Sequence, residues 1–238
     1  MNFYSNKDLI QIIKEYNKQF GTKIKTSGTK DKMFKELKSH LSCKLDKCVV
    51  KRSKKIKDVL KPMGPNENDW LSNFDILRVM EEYEKLYDNF TFLGCVPIDF
   101  NEIDKSFSNF NLKQFKKNKT ILGAIFNTDP SYKSGQHWIS LVMNIPQKSI
   151  CFFDSVGHAP PHQVQVFIDN IKTQGEKLKI PFEIFINKKR HQMGNSACGI
   201  YSMNFIIKQL QGHTCKTLNN KVVRDKEMKN NMKIFYEN

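Results

Sequence analysis

RHQMGNSACGIYSMNFIIKQL, residues 190–210, is the stretch on which the reading of this chain turns. Ile200, Met203, Phe205, Ile206, Ile207 and Leu210 recur at the i, i+3, i+4, i+7 spacing of a broad buried helix face. Gly194, Asn195 and Ser196 are turn and cap residues, so the spacing predicts a core helix with Cys198 in its first turn. Free backbone N–H groups and the positive end of the helix dipole at such a position stabilise a thiolate. A cysteine at a helix start is equally well an inert core thiol, so the surrounding chain has to decide.

Working outward, GQHWISLVM (residues 135–143) puts His137 in front of a strand-like run, and CFFDSVG (151–157) puts Asp154 at the end of another. Two short buried strands that each deliver a polar residue at one end can assemble a site on a sheet edge. The chain order is His137, Asp154, Gln192, Cys198. A base to deprotonate the thiol, an acid to hold the imidazole tautomer and an amide N–H to hold an oxyanion are the equipment of acyl transfer. His158 and His162, in the rigid loop SVGHAPPHQ, are rival bases, but neither begins or ends a strand. Asn195 lies nearer the cysteine than Gln192 and is an alternative oxyanion donor.

His-Trp, then Asp-Ser, then Gln with a Cys-Gly helix resembles the ubiquitin-like-protein-specific protease and adenovirus protease superfamily. Within it the likeness is to the African swine fever virus-type polyprotein-processing proteases of large DNA viruses. FNTDPSYKSGQHW, FDSVGHAPP, RHQMGNSACGIYS, WLSNFDI and the pair Cys43/Cys48 carry it, over roughly residues 43–238. The resemblance implies an α+β or α/β, papain-related core with a central mixed sheet flanked by helices. It also implies a cysteine endopeptidase in which His137, Asp154, Gln192 and Cys198 do the chemistry without metal or cofactor. Its implied substrates are structural polyproteins cut after Gly-Gly during particle maturation, the site being a slot too narrow for side chains. Some viral relatives carry Asn where this chain has Asp154. Rival readings are a SUMO or ubiquitin-like deconjugase, an acyltransferase of the same layout, and a non-catalytic DNA-binding structural protein.

At 238 residues with 39% hydrophobic content, including 18 Phe, the chain has material for one sizeable core plus an appendage and is not a disordered protein. No apolar stretch approaches the ~20 residues of a membrane span, and MNFYSNKDL lacks the layout of a signal peptide. No membrane partner is therefore expected. Six scattered cysteines fit a reducing compartment better than a disulfide scaffold, which points to the cell interior, a viral factory or the virion. The net charge of +15 is uneven: residues 1–60 hold 16 Lys+Arg against 6 Asp+Glu. Such asymmetry fits a polyanion partner, and also fits a merely lysine-rich, solvated surface.

Three regions follow in order. Residues 1–42 read as a basic helical arm. An amphipathic helix over 5–20, capped by Ser5 or Asn6 and lined by Leu9, Ile12, Ile13, Tyr16 and Phe20, ends at Gly21. A second helix after Thr29 turns Met33, Phe34 and Leu37 inward. Helix, SGTK turn, helix resembles a SAP-type DNA-binding module, which implies phosphate contacts from Lys23, Lys25, Lys30 and Lys32; a scaffold or docking arm is the alternative. Residues 43–69 read as a basic connector broken by Pro62, Gly64 and Pro65. His40, Cys43 and Cys48 invite a zinc reading, but the spacing is irregular and lacks a fourth ligand, so no metal is expected. Residues 70–238 read as the protease core. A capped helix starts at Ser72 or Asn73, and strands are expected at FTFLGCVPIDF, TILGAIFNT, the two runs named above and KIPFEIFIN. A helix over 164–178 presents Val166, Phe167, Ile168 and Ile171, and one or two helices follow residue 211. Arg224 to Glu227 reads as a solvated face.

Overall fold

The computed structural model describes residues 6–42, 70–115 and 117–236; the connector, with Cys43 and Cys48, lies outside them. Helices α1 (Asn6–Phe20) and α2 (Lys30–His40) form the leading pair. Gly21 follows α1 at φ 60°, a left-handed stop that glycine adopts at little cost. The Thr29 hydroxyl caps α2 by accepting from the Lys32 N–H. Helix α3 (Asn73–Leu86) opens on a complete capping box: Ser72 Oγ accepts from Asp75 N, and Asp75 accepts from Ser72 N at 2.9 Å.

Strand β1 (Phe90–Pro97) leads into the short helices α4 (Phe100–Ile103) and α5 (Lys105–Ser108) and a single 3₁₀ turn at Leu112–Gln114. Strands β2 (Ile121–Asn127), β3 (Trp138–Asn144) and β4 (Ser149–Phe153) follow, then α6 (His162–Lys177) and β5 (Glu183–Ile186). The chain closes with α7 (Cys198–Leu210), α8 (Cys215–Asn220) and α9 (Asp225–Phe235). The sheet runs β1-β2-β3-β4-β5 and is mixed: β1/β2 and β4/β5 are parallel, β2/β3 and β3/β4 antiparallel.

Both faces of the sheet are covered, so strands β2 to β4 are buried at every position. Period-2 alternation sorts their side chains into two cores. Ile121, Ile125, Val142, Cys151 and Phe153 face α7. Leu122, Phe126, Leu141, Met143, Ile150 and Phe152 face the other way, against α6 and a cluster of phenylalanines from α4, α5 and the chain beyond. Phe100, Phe107, Phe126 and Phe167 meet there with ring centroids 4.8–5.9 Å apart. Each fully buried ring contributes about 1.5–3 kcal/mol. Helix α6 turns Val164, Phe167, Ile168 and Ile171 inward, but Val166, expected on the apolar face, points to solvent.

Helix α7 is the central rod of the first core, with ten of its residues buried in addition to Cys198. A Cβ on Gly123 would come within 3.1 Å of Ile206 and Phe90, so glycine is what lets α7 lie close on β2. The arm does not stand apart: Leu9, Ile13, Tyr16, Phe20, Met33 and Leu37 belong to the same buried cluster as Tyr83, Phe205 and Met228. Cys151 of β4 and Cys215 at the start of α8 are paired as a disulfide, Cα to Cα 5.9 Å, tying the sheet to the C-terminal helices. Cys95 and Cys198 are free. No described helix is long and apolar enough to cross a membrane.

Candidate active site

The register of one strand pair brings the distant residues together. Ser140 of β3 pairs with Phe153 of β4 in antiparallel fashion, so the start of β3 and the end of β4 share one edge of the sheet. His137 stands just before β3 and Asp154 just after β4. His137 Nε2 lies 2.7 Å from Asp154 Oδ1, with both side chains largely withdrawn from solvent. Helix α7 crosses β3, with Ser202 Oγ donating to the Trp138 carbonyl at 3.1 Å, and so presents its first residue, Cys198, at the same edge. The Cys198 side chain is close enough to raise the His137 imidazole alongside Asp154; with Nε2 committed to Asp154, Nδ1 is the nitrogen left to face the sulfur.

Burial by itself pushes the His137 imidazole down, but the hydrogen bonds and charges of Asp154 and Cys198 outweigh it and raise the group to about 9. Burial pushes the Asp154 carboxyl up. The hydrogen bond and charge of His137, the Val156 N–H at 2.8 Å and the nearby His158 outweigh that and hold it below its ordinary value. An imidazolium facing a carboxylate on one side and a sulfur on the other is the resting arrangement that nucleophilic thiol chemistry needs. His158 also reaches Asp154, Nδ1 to Oδ2 at 3.3 Å, but three quarters of its side chain is in solvent and it sits on the oxygen away from His137. His162 is the exposed first residue of α6.

Glycine, asparagine and serine do not cap α7 as expected. Ala197 is the N-cap, without a side-chain hydrogen bond, so the first-turn N–H groups stay unclaimed by any cap. Gln192 is buried, and Asn195 is exposed. Gln192 Oε1 accepts from the Ser155 hydroxyl at 2.7 Å, while Nε2 donates to Gly194 O at 2.8 Å. Because the Gly194 carbonyl can only accept, Nε2 must face it and the amide cannot turn over, which leaves one Gln192 N–H uncommitted among these contacts. Ser155 O also accepts from His191 N and Gln192 N, at 2.8 and 2.9 Å. Asn187, fully buried, donates to Asp154 O and to Lys189 O. Ser155 and Asn187 therefore lock the Asp154 turn to the loop that carries Gln192.

Asp225 corrects the reading of residues 224–227 as a solvated face. Its Oδ2 accepts from Met193 N at 3.0 Å and Gly194 N at 2.7 Å, and its Oδ1 from the Tyr201 hydroxyl at 2.9 Å. The loop before Cys198 hangs on this one carboxylate. Beside the nucleophile lies a cleft of about 570 Å³ whose lining includes Trp70, Leu71, Gly135 and Trp138. The Trp138 indole N–H donates to Leu71 O at 3.0 Å. Leu71 would lie 3.0 Å from a Cβ on Gly199, which explains the glycine after the cysteine. Lys23 and Lys25 lie on the turn between α1 and α2, and Lys30 and Lys32 in the first turn of α2; none of the four lines the cleft beside the nucleophile. No group of His, Cys, Asp and Glu able to hold a metal occurs among the described residues.

Residues 82–238 match the Ulp1 protease family, C-terminal catalytic domain. A thiol protease of Acanthamoeba polyphaga mimivirus is 30% identical over 180 residues, which cover 74% of this chain and 59% of that protein. The chain thus spans less than two thirds of that relative. A SUMO-1 cysteine protease of African swine fever virus is 24% identical over 227 residues, covering 82% of this chain and 83% of the relative. Among solved structures, the African swine fever virus protease superposes with a TM-score of 0.68 at 19% identity, over 100% of this chain and 93% of that one. The Ulp1 protease domain in complex with the yeast orthologue of SUMO gives 0.52 at 16% identity, over 98% and 92%. The match over most of the chain and the shared fold agree with the site that β3, β4 and α7 build: this chain belongs to the Ulp1 protease family and is a cysteine peptidase.

Proposed function

We propose that the chain is an endopeptidase that cuts after Gly-Gly in structural polyproteins of a large DNA virus, inside the infected cell and the assembling particle. His137 takes the proton of Cys198, and Asp154 holds the imidazole in place. The thiolate adds to the scissile carbonyl. The oxyanion is held by the free N–H of Gln192 and the Cys198 backbone N–H, donors that together contribute several kcal/mol at about 3 Å. His137 then returns its proton to the leaving amine, and water releases the acyl group.

One observation carries the substrate half of this reading: the cleft beside Cys198 is bordered by Trp70 and Trp138 and tightened by the Trp138–Leu71 hydrogen bond. Bulky indoles lining the approach to the nucleophile would favour residues that carry no side chain. Relatives from African swine fever virus and a mimivirus support the viral setting. The test is hydrolysis of fluorogenic peptides ending in Gly-Gly against matched Ala-Gly and Gly-Ala peptides, with the Cys198→Ala variant as blank. Equal turnover of all three would discard the slot.

A second reading, deconjugation of a SUMO-like modifier, is favoured by the fold shared with a Ulp1 domain that holds SUMO. A folded SUMO-like probe cut much faster than its own C-terminal peptide would select it. For DNA, the proposal rests on the exposed lysines Lys23, Lys25 and Lys32 with Lys30 beside them. Because α1 and α2 share the protease core, removing residues 1–42 would strip buried surface. The four Lys→Gln substitutions, compared by mobility shift at two salt concentrations, are the cleaner test. An unchanged shift would remove DNA from the reading.

A further inference from the structure

Between the leading helix pair and the protease core lies a second cavity, of about 470 Å³, on the side of α7 away from the Trp70 cleft. Its walls come from the turn after α1, from one face of α7, and from α8 and α9. Three lysines line it: Lys23 from the turn, Lys208 from α7 and Lys221 from the end of α8, with His213 beside them. Glu227 is the only acidic residue in the lining, and among the described residues none of these lysines forms an ion pair. Phe20, Phe205, Leu218, Val223 and Met228 supply the apolar part of the lining, Phe20, Phe205 and Met228 as edges of the buried core. Lys208 is part-buried, and its ammonium donates only to Gln211 Oε1, at 3.2 Å.

The cations here are crowded and short of counter-charge. Burial lowers the Lys208 ammonium; Glu227 partly offsets this, and Lys221 lowers it further. His213 is lowered by burial and then by Lys208, His40 and Lys221. His40, on α2, is lowered by burial and by Lys208, against Glu36. Each of these groups is held below its ordinary value first by burial, with neighbouring cations adding to it, and Glu227 at Lys208 and Glu36 at His40 offset it only in part. A cavity whose lining combines three lysines with apolar side chains fits a ligand with a polyanionic end and a flat apolar body.

We propose that this cavity binds a nucleoside phosphate, its phosphates between Lys23, Lys208 and Lys221 and its base against Phe20, Phe205 and Leu218. Such a ligand would bridge the arm to the helix that begins at Cys198. It would also lie against His191, which lines the cavity, accepts from Val223 N and immediately precedes Gln192. The cavity is thereby coupled to the loop that carries the amide, and this site is independent of the polyprotein reading.

The experiment is titration of the full chain with ATP by calorimetry and by thermal shift, with pyrophosphate and adenosine as separate arms. Saturable ATP binding with a rise in Tm is expected, pyrophosphate binding more weakly and adenosine weakest. Lys208→Gln and Lys221→Gln should each weaken ATP at least tenfold while leaving basal Gly-Gly peptide hydrolysis unchanged. Glu227→Gln, which removes the one repelling carboxylate, should tighten it. No saturable ATP binding would overturn the proposal, as would binding that survives both lysine substitutions. Pyrophosphate binding as tightly as ATP would overturn the role of the apolar lining and with it the nucleoside.

Discussion

Replacing Asp225 tests whether the loop before the nucleophile is held from outside. The carboxylate takes three hydrogen bonds, from Met193 N, Gly194 N and Tyr201 Oη. Gly194 in turn accepts from the Gln192 amide, so the chain of contacts runs Asp225–Gly194–Gln192. A charge-assisted hydrogen bond is worth about 1.5–3 kcal/mol when shielded. Two of the three are exposed to solvent, so Asp225→Ala should cost about 2 kcal/mol of stability in all. For catalysis the ceiling is set by the donor the loop carries: loss of one oxyanion donor costs about 10²–10³ in kcat. A loosened loop should forfeit part of that, about 10–100-fold, or ~1.4–2.7 kcal/mol. The fall should appear in kcat with KM little changed, since the Trp70 cleft is untouched. Asp225→Asn should recover most of the activity. Its single oxygen can accept both N–H groups while its amide faces the Tyr201 hydroxyl, which can turn to donate to Val223 O at 3.1 Å. The assay is steady-state hydrolysis of a Gly-Gly peptide alongside a melting curve. An Ala variant that melts lower yet keeps its kcat would refute the reasoning and leave Asp225 a structural brace alone.

The remaining expectations concern neighbouring groups. Ser155→Ala leaves Gln192 Oε1 buried without its hydroxyl donor; stability should fall by about 1–3 kcal/mol and kcat about tenfold, both read on the same assays, and an unchanged kcat would show that the amide is held some other way. Gly199→Ala drives a methyl to 3.0 Å from Leu71 and 3.3 Å from Ile76, so it should cost about 1–3 kcal/mol by overpacking; a melting temperature equal to that of the parent would contradict this. His137, raised from 6.5 to about 9, contributes stability that is complete below 6.5 and disappears as pH climbs through 9. Asp154, lowered from 3.8, contributes above that value and loses its contribution as pH falls through its depressed one. The Tm gap between parent and Asp154→Asn should therefore be widest between about pH 4 and 6.5 and narrow towards pH 9, and a gap independent of pH would show that the pair is not ionised. In kcat/KM the alkaline limb should fall near 9 in the parent and lower in that variant.

Much of this protein could be read along the chain because the signals were local. Ile200 to Leu210 carry a helix period, residues 150–153 and 138–142 read as short buried strands, and Ser72 with Asp75 is a capping box written in four residues. What local patterns could not contain was distance across the fold. Asp225 is 31 residues from Gly194, and nothing around it separates a loop brace from a surface acid. Ser155 was visible only as the neighbour of Asp154, and its bond to Gln192 spans 37 residues. Cys151 and Cys215 meet because β4 and α8 sit at one end of α7, which no spacing reveals.

The sequence by itself determined which segments are helix and strand, which faces are apolar, and which four residue types stand in an order suited to thiol chemistry, because periodicity and residue type are properties of single segments. Only the tertiary structure decided that the start of β3, the end of β4 and the first turn of α7 share one sheet edge. It likewise decided that the arm packs into the protease core and leaves a cation-lined cavity beneath it. Those outcomes depend on strand register and on which buried faces find each other, and both are settled by packing between segments far apart in the chain.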